Sequence, residues 1–235
     1  MMLGARTASW AKSGPTAKDY VQNGLIAMWD GIENAGWGVH DPNATVWKEL
    51  KLSGIDLIGS GDVICIDNGF RFGRDGSVGY MRDGGMKVSK SVASVSACIT
   101  NLSTKNTWIA TFGFDSSIIN GKILSLWNNH YLGTGWNTKP KFVISGGVNR
   151  FATYSVNYTD SSATEAFVGK NSISQESTEG FSDNISDNLI IGCRGSNTAW
   201  NMIGTIHNLR VYDRKLTSDE IAANYAIDKA RFNLP

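Results

Sequence analysis

The chain has 235 residues, and its 22 Lys and Arg residues nearly balance 21 Asp and Glu residues, for a formal net charge of +1. No basic stripe interrupts this balance, so nucleic acid is not an expected partner. No apolar run approaches the roughly 18 residues of a membrane span. With 26 glycines, 4 prolines and only 18% charged residues, the composition is typical of a β-protein with many turns.

Residues 1–19 are polar, small and unpatterned, with Gly14-Pro15 as a break. We predict that they form an extended N-terminal arm preceding a single domain at residues 20–235. The arm has three candidate partners: its own domain, a symmetry mate or another protein subunit. The start has no apolar core of a signal peptide, so either a signal was lost or a virion or cell surface would be reached by another route.

From Tyr20 onward, short apolar runs alternate with turn residues and predict strands, with no helical pattern between them. This rhythm predicts an all-β fold, a two-sheet antiparallel β-sandwich. The clearest runs are 24–30, 63–66, 69–72, 78–81, 91–100, 107–114, 121–128, 141–145, 151–158, 165–169, 189–193 and 205–212.

Within these runs, alternation predicts which side chains share a face. Trp108, Ala110, Phe112 and Phe114 are expected on one face of their strand. The segments 59–62 and 73–76 are expected to be turns. Cys65, Cys98 and Cys193 lie in apolar contexts and are expected to be buried free thiols rather than a disulfide or metal site.

One short C-terminal helix is predicted after these strands. Thr217 and Glu220 fit the capping box, and Leu216 and Ile221 fit the hydrophobic staple. Ile221, Ala222 and Tyr225 form an apolar stripe at helical spacing. We expect this stripe to pack on the sandwich and to cover a sheet edge or one end of the core.

The strand before the helix breaks its own period of two. Ile206, Leu209 and Val211 are expected to face the core, although the spacing from Ile206 to Leu209 is odd. A β-bulge at His207-Asn208 would restore the phase.

The segment "LIIGC…MIGTIHNLRVYDRKLTSDEIAANY" at residues 189–225 resembles the closing part of LamG-like jelly-roll domains of the concanavalin A-like lectin/glucanase superfamily. "GLIAMWDG" and "GFRFGRDGSVGYM" resemble two early segments of that family, whereas residues 82–188 share only the strand rhythm. The resemblance implies a jelly roll of two curved antiparallel sheets, of which many members bind carbohydrate and many hold calcium at the rim.

Catalytic patterns are missing from the sequence. Retaining glycosidases of this superfamily hold two carboxyl groups on one strand, but no such run occurs, and Glu176 and Glu179 are expected in a loop. His40, His130 and His207 lack metal-ligand spacing. The prediction from sequence is that the chain is not an enzyme.

Candidate ligand-binding residues lie in polar, glycine-rich loops, where an indole is either tucked under its loop or displayed to a sugar. Calcium is the one cofactor considered, although Asp beside Gly is also the ordinary residue of a β-turn. The candidate sugar-binding residues are Trp37, Trp136, Asn137, Trp200 and Asn201, and the candidate calcium ligands are Asp30, Asp75 and Asp115.

Three functions follow from these observations. The first is a non-catalytic carbohydrate-binding protein, for which a glycan is the partner. The second is a structural protein displayed on a surface such as a bacteriophage virion, assembled through its arm. The two can coexist, and the alternative to both is a glycoside hydrolase of the concanavalin A-like superfamily.

Overall fold

The structure is a computed structural model, and it describes twelve stretches of the chain. These are residues 14–51, 55–73, 77–83, 92–103, 106–112, 122–127, 130–133, 141–145, 151–159, 162–177, 189–193 and 201–235. Within them the chain forms two antiparallel sheets and a C-terminal α-helix. The predicted two-sheet β-sandwich with one short C-terminal helix is therefore confirmed.

The first sheet, here called sheet I, has eight strands in the order β14-β13-β12-β7-β17-β5-β4, with β1 also paired to β17. Its strands are β1 (Leu25–Asp30), β4 (Val63–Ile66), β5 (Gly69–Phe72), β7 (Ser94–Asn101), β12 (Phe151–Tyr158), β13 (Ala163–Val168), β14 (Asn171–Ile173) and β17 (Gly204–Tyr212).

The second sheet, sheet II, has nine strands in the order β15-β11-β10-β9-β8-β16-β6-β3-β2. They are β2 (Val46–Trp47), β3 (Leu57–Gly61), β6 (Gly79–Asp83), β8 (Thr107–Phe112), β9 (Lys122–Trp127), β10 (Tyr131–Gly133), β11 (Lys141–Val143), β15 (Gln175–Ser177) and β16 (Leu189–Ile191).

All twelve predicted runs correspond to strands, and five further strands were missed. The missed strands, β2, β3, β10, β14 and β15, have two to five residues. The predicted turn at 59–62 is wrong, because β3 continues through Gly61. Glu176 likewise lies in β15 rather than in a loop, and residues 74–76 and Glu179 lie outside the described residues.

Strand β17 is the centre of sheet I. One edge pairs with β7, and the other is shared by β5 at Gly204–Ile206 and β1 at Asn208–Tyr212. The register with β7 shifts between Ile206 and Asn208, which confirms the predicted bulge. Ile206, Leu209 and Val211 all face the main core, as predicted.

The main core fills the space between the two sheets. Alternate residues of the strands contribute to it, including Val95, Ala97 and Ile99 from β7 and Phe112 from β8. Trp29 is fully buried there. The sandwich is therefore held together by the inward faces of both sheets.

The helix α1 (Ser218–Phe232) forms a third layer on the outer face of sheet I. Its N-terminus has the predicted capping box, since Glu220 N donates to Thr217 Oγ1 at 3.3 Å and Thr217 N to Glu220 Oε2 at 2.9 Å. Ser96, which alternates with core residues of β7, faces the helix side, where it contacts Arg210. The prediction that α1 covers a sheet edge or core end is wrong, because it lies over the interior strands.

The buried stripe of α1 is largely polar. It consists of Ile221, Asn224, Asp228, Arg231 and Phe232, whereas Tyr225 is only half-buried. The stripe keeps helical spacing, but its members include two charged residues and an amide. The predicted apolar stripe is thus confirmed at Ile221. The prediction that the helix packs on the sandwich through an apolar face is wrong, because that face is largely polar.

Asp228 is the centre of a buried network between α1 and sheet I. Arg210 donates to both of its carboxylate oxygens, at 2.8 and 2.7 Å, and both side chains are fully buried. Tyr20, Asn208 and Thr153 each donate to the same carboxylate at 2.7 Å. Burial alone lowers the pKa of Arg210, but the Asp228 carboxylate together with the nearby Tyr20 and Tyr212 raises it above its ordinary value.

The described part of the N-terminal arm packs against its own domain. Ala17 is fully buried, and its N–H donates to Glu33 Oε1 at 2.8 Å. Arg231 donates to the Pro15 carbonyl at 2.9 Å and to Asp30 Oδ1 at 2.7 Å. Of the three predicted partners for the arm, its own domain is therefore the one observed for residues 14–19.

Sheet II carries a second aromatic cluster outside the main core. The register between β8 and β9 shifts between Trp108 and Ala110, and Trp108 clusters with Ile123 and Trp127 rather than with the main core. The prediction that Trp108 shares a face with Ala110 and Phe112 is wrong for this reason.

None of the three cysteines forms a disulfide; Cys98 and Cys193 are buried as predicted, whereas Cys65 is only half-buried, so the predicted burial is wrong for that residue. Among the helices of the described residues, none has the length and apolar content needed to cross a membrane.

Candidate functional site

A groove of about 460 Å³ lies between the end of α1 and the β13–β14 hairpin. Its volume is within the range of small-ligand sites, about 300–1,000 Å³. We call it the helix–hairpin groove, and it is lined by Phe151, Ala152, Val168, Gly169, Lys170, Asn171, Tyr225, Leu234 and Pro235.

One wall comes from α1 and the residues that follow it. Asn233 ends the helix in the left-handed conformation, with φ 55° and ψ 46°, which is a common helix terminator. The chain then turns back, so that Leu234 is buried against Phe232. Tyr225 and Phe151 pack at the border of this cluster and remain half-buried, so both rings contribute surface to the groove.

The opposite wall is the two-residue turn between β13 and β14. Gly169 has φ +60° and is the first residue of the turn, as in type II′ hairpins. Its N–H donates to the Thr153 carbonyl at 2.8 Å, which ties the turn to β12. A Cβ at this position would lie 3.2 Å from the Tyr225 ring, so glycine also allows that ring to approach the turn closely.

The polar groups of the groove sit on the same turn. Lys170 and Asn171 are exposed, and no Asp or Glu belongs to the described lining. At the other wall, Lys229 Nζ donates to the main-chain oxygen of Pro235 at 3.0 Å. The groove thus combines aromatic surface with an amide and an ammonium group, which can donate hydrogen bonds to a ligand.

Of the predicted sugar-binding residues, the two that the structure describes, Trp37 and Asn201, do not line this groove. Trp37 is half-buried and packs against the cluster that contains Ala17 and Tyr20, and Lys18 Nζ lies 5.6 Å from its ring centroid. Asn201 is half-buried in the segment before β17. Both remain predicted ligand-binding residues, and Trp136, Asn137 and Trp200 lie outside the described residues.

The predicted calcium ligand Asp30 is buried beside a cationic side chain. Arg231 contacts one of its oxygens, and the Ile32 and Glu33 N–H groups donate to the same atom at 3.0 Å. Burial raises the pKa of Asp30, and Arg231 opposes this only in part. Across the described residues, no three His, Cys, Asp or Glu side chains converge as a metal site. Asp75 and Asp115 lie outside the described residues, so calcium stays a prediction.

His207 is held by hydrogen bonds that give it a structural role. His207 is buried in the bulge of β17, with Nδ1 2.9 Å from the Asn68 carbonyl and Nε2 2.8 Å from Thr100 Oγ1. Since a carbonyl can only accept, Nδ1 carries the proton and Nε2 accepts from Thr100. Burial lowers the pKa of His207. The ring therefore serves as a neutral packing and hydrogen-bonding group.

No family model matches the sequence, and no curated protein matches it either. The fold, however, is shared with solved structures. Trypanosoma rangeli sialidase in complex with the inhibitor DANA has a TM-score of 0.64 at 17% identity, and the same enzyme in complex with sialic acid has 0.62 at 16%. The receptor binding domain of botulinum neurotoxin C/D mosaic serotype has 0.54 at 14%.

These likenesses cover most of this chain but only part of each neighbour. The matches include 87% and 88% of this chain against the two sialidase structures, and 33% of each sialidase chain. For the toxin domain the values are 86% and 51%. At such identities the comparison shows the fold, a two-sheet antiparallel architecture, and the activities named belong to those proteins.

The prediction that this chain is not an enzyme is contradicted. Its fold occurs within sialidases, which are glycoside hydrolases, and one of the matching structures holds a covalent intermediate with 2,3-difluorosialic acid. The sequence argument failed because it searched only for known local patterns, such as two carboxylates on one strand or histidines at metal-ligand spacing, and took their absence to exclude enzymes in general.

The groove was missed by sequence reasoning for an identifiable reason. Its lining comes from three distant segments, and Tyr225 was assigned to the packed stripe of α1. The hairpin signal was present, since "VGKN" at 168–171 places glycine where a type II′ turn requires it. Nothing local in the sequence places that turn against the helix.

Proposed function

We propose that this chain recognises carbohydrate and that the helix–hairpin groove is the binding site. The observation that carries the proposal is the placement of two half-buried rings, Tyr225 and Phe151, beside the exposed Lys170 and Asn171. Sugars offer apolar C–H faces to aromatic rings and hydroxyl groups to amides and ammonium groups. A groove that combines these chemistries fits a sugar ring.

The comparisons support the proposal at the level of the fold. A sialidase bound to sialic acid and a toxin receptor binding domain share the architecture. The LamG-like relationship and display on a surface such as a virion are also proposals. The sequence segment that forms β16, β17 and α1 supports only the first of these two proposals.

The test is a glycan array followed by isothermal titration of the best ligand with single variants. Asn171→Ala removes one hydrogen-bonding group and should weaken binding about fivefold, because such a bond contributes about 1 kcal/mol. Tyr225→Leu should weaken it up to about tenfold through loss of the ring. The matched control is Asn43→Ala, an exposed asparagine outside the groove.

Circular dichroism and a melting curve should show that each variant keeps the fold. The proposal fails if the folded protein binds no glycan. It also fails if Asn171→Ala and Tyr225→Leu bind the ligand as well as Asn43→Ala does.

Glycoside hydrolysis is the second candidate function, favoured by the shared fold with sialidases. Hydrolysis needs a pair of acidic groups in most families, although sialidases use a tyrosine nucleophile. The described lining of the groove contains Tyr225 and no carboxylate side chain. Fluorogenic glycosides, including a sialoside, test this candidate: release of the fluorophore above a heat-denatured control supports it, and none refutes it.

A further inference from the structure

We infer that the helix–hairpin groove selects sugars that carry an anionic substituent, and that Lys170 is the residue that selects them. This inference rests on the proposed carbohydrate recognition and names the ligand class for the same site. The shared chemistry is a negatively charged group on a sugar ring, either a carboxylate or a sulfate.

The charge of the described lining is the first argument. Lys170 is its one basic or acidic side chain, since the other lining residues are apolar, aromatic or amide in character. The main-chain oxygen of Pro235 already accepts from Lys229, which lies one helical turn after Tyr225. A ligand in the groove therefore meets the ammonium group of Lys170 on the turn, whereas Lys229 lies outside the lining and is hydrogen-bonded to Pro235.

The availability of Lys170 is the second argument. Lys48 and Lys141, by contrast, are paired, with Asp56 at 2.5 Å and Glu176 at 3.2 Å respectively. Lys170 is exposed at the tip of its hairpin, and within the described residues no carboxylate forms an ion pair with it. An anionic ligand would not have to displace an internal partner.

The position of Lys170 relative to the aromatic surface is the third argument. The Tyr225 ring approaches to 3.2 Å from the Cβ position at Gly169, the residue immediately before Lys170. The Tyr225 ring of α1 therefore lies against the turn that carries the lysine. A sugar whose apolar face lies on Tyr225 has its substituents within reach of the ammonium group. The next residue, Asn171, can hydrogen-bond to a sugar hydroxyl.

The experiment compares matched ligands by isothermal titration. The probes are methyl glucoside, methyl glucuronide and glucose 6-sulfate, with the corresponding galactose and mannose sets. We expect at least one anionic sugar to bind about fivefold more tightly than its neutral match, the upper range for an exposed ion pair. This preference should largely disappear in about 0.5 M NaCl, where exposed charges are screened.

The variant Lys170→Gln should abolish the preference, because it should weaken binding of the anionic sugar more than binding of its neutral match. Lys215→Gln, an exposed lysine outside the groove, should keep the preference. Comparing the affinities for the glucuronide and the glucose 6-sulfate shows which anion is preferred. Equal binding of neutral and anionic sugars, or a preference that survives Lys170→Gln, overturns the inference alone. No binding of any sugar overturns the proposed function as well.

Discussion

Replacing Asp228 by Asn should destabilise the protein severely, because it would leave a buried guanidinium without its counter-charge. The carboxylate accepts five hydrogen bonds, two of them from Arg210. Both partners are fully buried. Removing one member of such a pair costs about 3–5 kcal/mol, a large fraction of the roughly 5–15 kcal/mol that stabilises a typical domain.

The double variant Arg210→Met/Asp228→Leu should be much less destabilised than the sum of its single changes. It removes both charges together, so no buried charge is left unpaired. Tyr20, Asn208 and Thr153 lose the carboxylate as an acceptor, but they lose it equally in the single Asp228→Leu variant. The Ser96 hydroxyl that accepts from Arg210 at 2.9 Å loses one partner but keeps its bond from Ser155. A double-mutant cycle built from Arg210→Met, Asp228→Leu and the double variant should give a coupling energy of about 2 kcal/mol or more.

Urea denaturation followed by far-ultraviolet circular dichroism gives these free energies of unfolding. Asp213→Asn, at an exposed position, is the matched control and should change stability by less than about 0.5 kcal/mol. A loss below about 1 kcal/mol for Asp228→Asn, or additive effects in the cycle, would refute the conclusion that this ion pair joins α1 to sheet I.

Three further changes test other contacts. The pKa of Glu220 is lowered from 4.5 to about 2, chiefly by hydrogen bonds from Arg214. Glu220→Gln should therefore lower the free energy of unfolding by up to about 1 kcal/mol at neutral pH. This difference between the variant and the wild-type protein should disappear as the pH falls from 4.5 to 2. Gly133→Ala would place a Cβ 2.6 Å from Trp127 Nε1, so we expect a loss of about 1–3 kcal/mol and a shifted tryptophan emission; unchanged denaturation curves would contradict this. Arg231→Met should increase amide hydrogen exchange in the arm, and unaltered exchange would show that this arginine does not hold it.

The fold was largely predictable because strand periodicity and capping are local signals. The twelve predicted strands, the bulge before Asn208 and the Thr217 cap all follow from neighbouring residues. The packing of α1 does not. Its buried face contains Asn224, Asp228 and Arg231. The sequence pattern alone would assign these polar residues to a solvent-exposed face, because their partners in sheet I are distant in the chain.

The candidate site was not predictable from local patterns. Its aromatic wall, its hairpin turn and its closing residue Leu234 lie in separate segments, and they meet only when α1 packs across the sheet. The loop tryptophan Trp37, by contrast, was visible in the sequence, yet its surroundings include Ala17 and Lys18 of the arm. Burial of that kind depends on long-range contacts that residue spacing does not encode.

The central claim is that the helix–hairpin groove binds sugar, and nuclear magnetic resonance titration with the best array ligand tests it most directly. The account predicts saturable chemical-shift changes at the amides of Gly169, Lys170 and Asn171, which form the turn beside Tyr225. Saturable shifts confined to other parts of the protein, with these three amides unaffected, would contradict it.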